Sequence, residues 1–233
     1  MMGLILIILV IIAIVHGWVK ILMHEWTEFE NNIALYMVMV FHISRQEALS
    51  LVRGLSYCVY GGLMASIIIY FSKFSLTFNV NVETVILAVL GAFAELSIVR
   101  LFTMICATFF PEINLVDEIQ RVRWIRGAFK LSPKFVFVCI VSAAVIEELF
   151  FRGSVMYLLL KTTTSGVLTL SLMTFLFVYE QILLTETYTQ KIIIGFASIV
   201  ISMVGGLLVL TTNTIWPAMF AHASFVIFYV RRW

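Results

Sequence analysis

Glu147, Glu148 and Arg152 sit in the middle of an otherwise apolar run, Phe135 to Leu160. That run exceeds the ~20 residues a helix needs to cross a bilayer. An ionisable side chain at the centre of a membrane helix costs about 2.5–3.5 kcal/mol on insertion scales, and such groups face the bundle interior, pair with one another or act chemically. Two adjacent carboxylates and one arginine therefore require a reason to be there.

The rest of the chain agrees that the solvent is lipid. With 62% hydrophobic residues, 12% charged and a mean hydropathy of +1.08, there is too little polar surface to cover a water-soluble globule of this size. Met1 to about Val15 has no positive n-region and no small-residue cleavage site before Trp18–Lys20, so it reads as a retained first helix. Further spans fall at about 52–72, 84–110, 135–160, 165–185, 190–212 and 214–230. Asn32 to Ile43 is about half a span; it lies in the interface, re-enters, or forms a short extra crossing. The expectation is an all-α, polytopic transmembrane helical bundle of seven or eight helices. It forms one integral membrane domain, in which residues 1–134 supply N-terminal helices and an amphipathic segment and residues 135–230 a second part. Cys58, Cys106 and Cys139 all fall in apolar runs and act as small hydrophobes, not as a disulfide framework.

Basic residues orient the bundle. For seven spans one side collects Lys20, Arg45, Arg53, Arg121, Arg123, Arg126, Lys130, Lys134, Lys191, Arg231 and Arg232, while the other holds Lys73 and Lys161. The positive-inside rule then puts the C-terminus of this multi-pass cell-membrane protein in the cytoplasm. Pro111 to Lys134 mixes five basic residues with Leu115, Ile119, Val122, Trp124, Ile125 and Phe129. That pattern suits an amphipathic helix on the cytoplasmic leaflet, so the expected partner of these cations is membrane lipid and not nucleic acid. His24, Glu25, Glu28 and Glu30 read as a wetted interfacial stretch.

The intramembrane ionisable residues are Glu95, Arg100, Glu147, Glu148, Arg152, Glu180 and His222. Glu148 and Arg152 are four apart on one helical face, in the favourable acid-before-base order, and form a pair. Glu147 is turned about 100° from Glu148 and lacks that partner. Such a carboxylate serves as a general base or metal ligand, or as hydrogen-bonded glue between helices. Glu95 and Arg100 lie on different faces, and Arg100 is expected to pair with a buried glutamate of another helix. Gly61-Gly62 and Gly205-Gly206 allow close helix approach.

EELFFRG at 147–153 matches an EExxxR motif, with the small residues Ser142-Ala143-Ala144 before it. Downstream, GGLLVLTTNTIWPAMFAHASF at 205–225 supplies a Gly-rich helix, a polar turn, a Trp-Pro entry and a histidine helix. Together they resemble the CPBP family (CAAX protease and bacteriocin-processing, also called Abi) over about 135–230. The resemblance implies that this part is a catalytic-type core of an intramembrane endopeptidase. Glu147 takes the position of the water-activating glutamate, Glu148 and Arg152 complete the motif, and His222 takes the oxyanion-stabilising histidine. Two positions depart from the pattern. The second-motif histidine is absent, with Tyr179 or Glu180 falling near its place, and the asparagine expected four residues after His222 is Val226.

A carboxylate at Glu180 can orient water or join Glu147 and His222 in a zinc-type ligand set with an open position, and a Tyr179 hydroxyl can donate to an oxyanion. Protonated glutamates balance the buried charge without a metal. The function expected is a CAAX-type endopeptidase-like protein acting on a peptide or a prenylated protein tail, with Glu147 activating water. The alternative is a catalytically impaired relative serving as a membrane regulator or bacteriocin self-immunity protein, which binds a membrane protein partner. A transporter would also explain buried charge, but inverted repeats and paired broken helices are missing.

Overall fold

The computed structural model describes residues 2–23, 27–72 and 77–230, and among these the chain is helical with no strand. His24, Glu25, Lys73, Arg231 and Arg232 lie outside the described residues. The long elements are α1 (Met2–Met23), α3 (Arg45–Ser72), α4 (Val82–Phe109), α9 (Gly166–Leu183) and α10 (Tyr188–Thr212). Each of these five is long and apolar enough to cross a membrane, as the composition requires of a multi-pass membrane protein. The 135–160 run is not one regular helix: it comprises α7 (Pro133–Phe150), a π-helical segment (Phe151–Met156) and α8 (Tyr157–Thr163). The chain ends in α11 (Trp216–Val230).

One end of the bundle is basic, and the opposite end is closed by polar turns. At the opposite end the Thr77 Oγ1 donates to the Asn213 carbonyl, Thr214 Oγ1 to the Thr77 carbonyl at 2.6 Å, and Trp216 Nε1 to the Asn79 carbonyl at 2.7 Å. These bonds dock the loop before α4 onto the turn between α10 and α11. At the basic end, Arg123 Nη1 donates to the Met23 carbonyl at 2.8 Å and the Ser132 backbone N–H to Glu47 Oε1 at 2.6 Å. The end of α1 and the start of α3 thus meet the same 123–132 stretch. The short helix between them, α2 (Glu28–Phe41), packs Ala34 against Ala48 and Val52 of α3, so it leaves and returns to the basic end without carrying the chain across.

The 111–134 segment differs from its expected form. It is two short helices, α5 (Leu115–Arg121) and α6 (Arg123–Ala128), broken at Val122, whose backbone is extended with φ −54° and ψ 128°. Val122, Ile125 and Ala128 are buried, while Arg121 and Arg126 are exposed. The segment's buried apolar residues pack onto the bundle, over the opening between the helices above. The three cysteines are free and half-buried.

The core runs through the middle of the bundle around Trp18, Phe150, Phe151 and Phe177, all essentially inaccessible. Phe151 meets Phe150 and Phe177 edge-on at 4.9 and 5.0 Å, the arrangement aromatic quadrupoles favour. Glycine makes the contact between α1 and α3 possible: a Cβ on Gly61 would meet the Trp18 indole and stand 2.7 Å from Ile146 Cγ2. Gly205 does the same for the Arg152 guanidinium, which lies at 3.4 Å from where its Cβ would be.

Candidate active site

Four helices deliver side chains to one point inside the bundle. Glu147 and Glu148 come from α7, Arg152 from the π-helical segment, Glu180 and Gln181 from α9, His222 from α11 and Tyr57 from α3. The adjacent glutamates face different partners, as the 100° helical step dictates. Glu148 Oε1 lies 2.8 Å from Arg152 Nη1 and 2.9 Å from His222 Nδ1. Arg152 also donates from Nη2 to the Ile201 carbonyl at 3.2 Å and stacks over the Phe177 ring with its carbon 4.6 Å from the centroid. Its position is helped by the π-helical segment, a backbone irregularity that recurs at functional sites, and all six residues of that segment are buried.

Glu147 faces the other way. Its Oε1 lies 2.7 Å from the Tyr57 hydroxyl, which is 2.6 Å from Glu180 Oε1. Gln181 Nε2 donates to Glu180 Oε2 at 2.8 Å and reaches Glu147 Oε2 at 3.4 Å. His222 Nε2 stands 3.9 Å from Glu147 Oε2. The His222 ring thus turns Nδ1 toward the Glu148 carboxylate and Nε2 toward Glu147. One histidine is thereby oriented by Glu148 and aimed at Glu147.

Glu147 and His222 line a cavity of about 390 Å³ that extends from the carboxylates toward the basic end. Its middle is apolar, with Ala143, Ile140, Ala197, Phe225 and Val226, and Arg53, Arg123 and Arg126 line it near the basic end. Val226 presents a methyl surface to the cavity.

Of the residues expected at the site, Glu147, Glu148, Arg152, Glu180 and His222 converge, and Tyr179 does not. Tyr179 is one step before Glu180 on α9 and so points about 100° away, where it is half-buried and stacks on Phe175 at 6.5 Å. The hydroxyl at the carboxylates belongs to Tyr57. Arg100 is exposed on α4 and does not pair with a buried glutamate as expected; the buried cation beside the glutamates is Arg152. Glu95 is fully buried and neither of its carboxylate oxygens has a hydrogen-bond partner among the described residues. The oxygens of Glu147 and Glu180, members of the zinc-type set, face Tyr57 and Gln181. Among the described residues no group of three His, Cys, Asp or Glu side chains is arranged as a metal-ligand set.

Tyr57 and Gln181 are the two site residues missing from the sequence reading. A phenol and an amide in apolar runs do carry a signal, since each needs a hydrogen-bond partner when buried. That signal is weaker than a formal charge.

Residues 129–228 match the family model described as type II CAAX prenyl endopeptidase Rce1-like, which supports the CAAX-protease family. The matched stretch contains Glu147, Glu148, Arg152, Glu180, Gln181 and His222, and excludes Tyr57, Trp18 and Glu95. Neither the curated proteins nor the solved structures contain a match.

Proposed function

We propose that this chain is a CAAX-type intramembrane endopeptidase that hydrolyses a peptide bond in a peptide or protein tail presented from the membrane. The observation that carries the reading is the meeting of Glu147 and His222 on one cavity, 3.9 Å apart, with Glu148 and Arg152 fixing the histidine ring from behind. Water bound between Glu147 Oε2 and His222 Nε2 gives a proton to the Glu147 carboxylate while its oxygen bonds to the scissile carbonyl carbon. As the tetrahedral intermediate collapses, the C–N bond breaks and Glu147 returns that proton to the leaving nitrogen. The donor at hand for the developing oxyanion is the Gln181 amide. The chemistry needs only the chain's own side chains; no step passes through a metal.

The basic end of the bundle faces the cytoplasm in this reading, because it gathers the greater share of Lys and Arg, so the cavity admits its tail from that side. The test is cleavage of a panel of short peptides and prenylated tails by the purified full chain in nanodiscs. Glu147→Gln keeps the side-chain shape but cannot take up the water proton, and is expected to reduce the rate ~100- to 10,000-fold with folded yield unchanged. A variant that cleaves as fast as the wild-type protein overturns the reading.

Val226 favours a second reading. Losing one oxyanion donor costs ~100- to 1000-fold in rate, and valine at the asparagine position has no donor. A non-catalytic membrane regulator or self-immunity protein would keep the cavity and bind a peptide or membrane protein there. In that case Glu147→Gln leaves the cellular phenotype intact, whereas filling the cavity with Ala143→Phe abolishes it.

A further inference from the structure

A phenol has one proton, yet the Tyr57 oxygen lies 2.7 Å from Glu147 Oε1 and 2.6 Å from Glu180 Oε1. It can donate to only one of them, so the second short contact needs a proton from a carboxyl group. The remaining carboxylate oxygens face the Gln181 amide, which can only donate to them. The extra proton therefore lies along the Glu147–Tyr57–Glu180 line. Glu147, Glu180 and Tyr57 are buried, and like charges this close disfavour each other's charged form.

The bridge is also built to be rigid. Tyr57 stacks on Trp18 with ring centroids 4.6 Å apart, and Trp18 Nε1 donates to the Tyr57 carbonyl at 2.9 Å. Trp18 is packed edge-on against Phe150 at 5.1 Å and lies where a Cβ of Gly61 would be. Three residues of α1 and α3 thus hold one hydroxyl between two carboxyl groups of α7 and α9.

We infer that Tyr57 is a positioning residue that joins Glu147 and Glu180 into a single unit sharing one proton, and that Glu180 keeps this proton while Glu147 acts on water. The inference rests on the endopeptidase reading for its kinetic consequence, but not for its structural one. In the working arrangement the Glu180 carboxyl donates to the Tyr57 oxygen, and the Tyr57 hydroxyl donates to the Glu147 carboxylate. The reverse arrangement, with Glu147 protonated and Glu180 the anion, is reached by moving two protons along the line, one from Glu180 to the Tyr57 oxygen and one from Tyr57 to Glu147. Water then supplies the proton that Glu147 takes and later returns to the amine, so the shared proton ends each cycle where it began. In this way the chain replaces the histidine absent from the second motif with a carboxyl group, linked to the base through a hydroxyl from outside the matched region.

The test uses the full chain in nanodiscs with Tyr57→Phe, Glu180→Gln and the double variant. Phenylalanine keeps the ring on Trp18, and folded yield is measured for each variant. Infrared spectroscopy in H₂O and D₂O reads the carbonyl band of a protonated carboxyl, which is expected to move to higher frequency in Tyr57→Phe as its hydrogen bond is lost. A band unchanged by Tyr57→Phe overturns the bridge, whether or not the protein cleaves peptides. On a cleaved peptide, each single variant is expected to lower kcat about 10- to 100-fold, the range of one hydrogen bond to a charged group, with KM within about twofold. The double variant should lose no more than either single one, because members of one unit are non-additive. Independent, multiplying losses, or a Tyr57→Phe protein with wild-type kcat, overturn the inference while leaving the endopeptidase reading standing. Absence of cleavage by the wild-type protein refutes that reading instead, and the infrared result still decides the bridge.

Discussion

At the scale of single residues, burial and hydrogen bonding sort the charged groups into those whose loss is costly and those whose loss is not. Arg152→Ala leaves Glu148 buried without a cation and also releases His222 and the Phe177 face. Removing one partner of a buried pair costs ~3–5 kcal/mol, so a large drop in folded yield and thermal midpoint in detergent is expected, and near-normal abundance would contradict the pair. Glu95→Gln is expected to change the midpoint little, since neither oxygen makes a hydrogen bond among the described residues and the amide removes no ordered partner. Val226→Asn adds a donor to the cavity wall and is expected to raise the peptidase rate about tenfold or more if the oxyanion lies against α11, measured as kcat on the best peptide; no rise places the oxyanion against Gln181 instead. The Glu148–Arg152 pair was legible from spacing alone because both partners lie on one helix, where i to i+4 geometry is fixed. The link between Tyr57, Glu147 and Glu180 spans 90 and 123 residues of sequence, and no local rule relates such positions. Tyr179 and Glu180 both fall near the second-motif position in sequence, but neighbours on a helix face apart, and only Glu180 turns inward.

At the scale of elements, small residues decide how near the helices come. Gly61→Ala forces a methyl group into the Trp18 ring and Ile146, and overpacking of this kind costs ~1–3 kcal/mol. Gly62→Ala meets only Ile146 Cδ1, at 3.5 Å, an ordinary contact, and alanine is the better helix former by ~1 kcal/mol. Thermal unfolding of the two variants in nanodiscs is expected to move the midpoint in opposite directions, and equal shifts would contradict the α1–α3 packing. That the chain is built of long apolar helices was legible, since a ~20-residue apolar run has few alternatives in lipid, whereas five helices among the described residues are long and apolar enough to cross against the seven or eight expected. The π-helical segment was not legible, because it reflects how Arg152 fits against α10, and neither was the break at Val122, which bends α5 and α6 over the cavity.

At the scale of the whole molecule, the chain's asymmetry is electrostatic. A reporter fused after residue 230, active only in the cytoplasm, is expected to be active, whereas one inserted in the 77–81 loop is not; the opposite result inverts the orientation drawn from the basic end. By itself the sequence determined that this is a helical membrane protein, that its charged run at 147–152 interrupts an apolar stretch, and that its C-terminal part resembles a protease core. These follow from the cost of polar groups in hydrocarbon and from fixed helical spacing, which act on each segment alone. Only the tertiary structure decided which faces meet: that His222 is held by Glu148 and aimed at Glu147, that Glu180 turns inward while Tyr179 turns out, and that Tyr57 closes the cluster. Those choices depend on the rotation and closeness of four packed helices, quantities set by the whole core and carried by no one stretch of the chain.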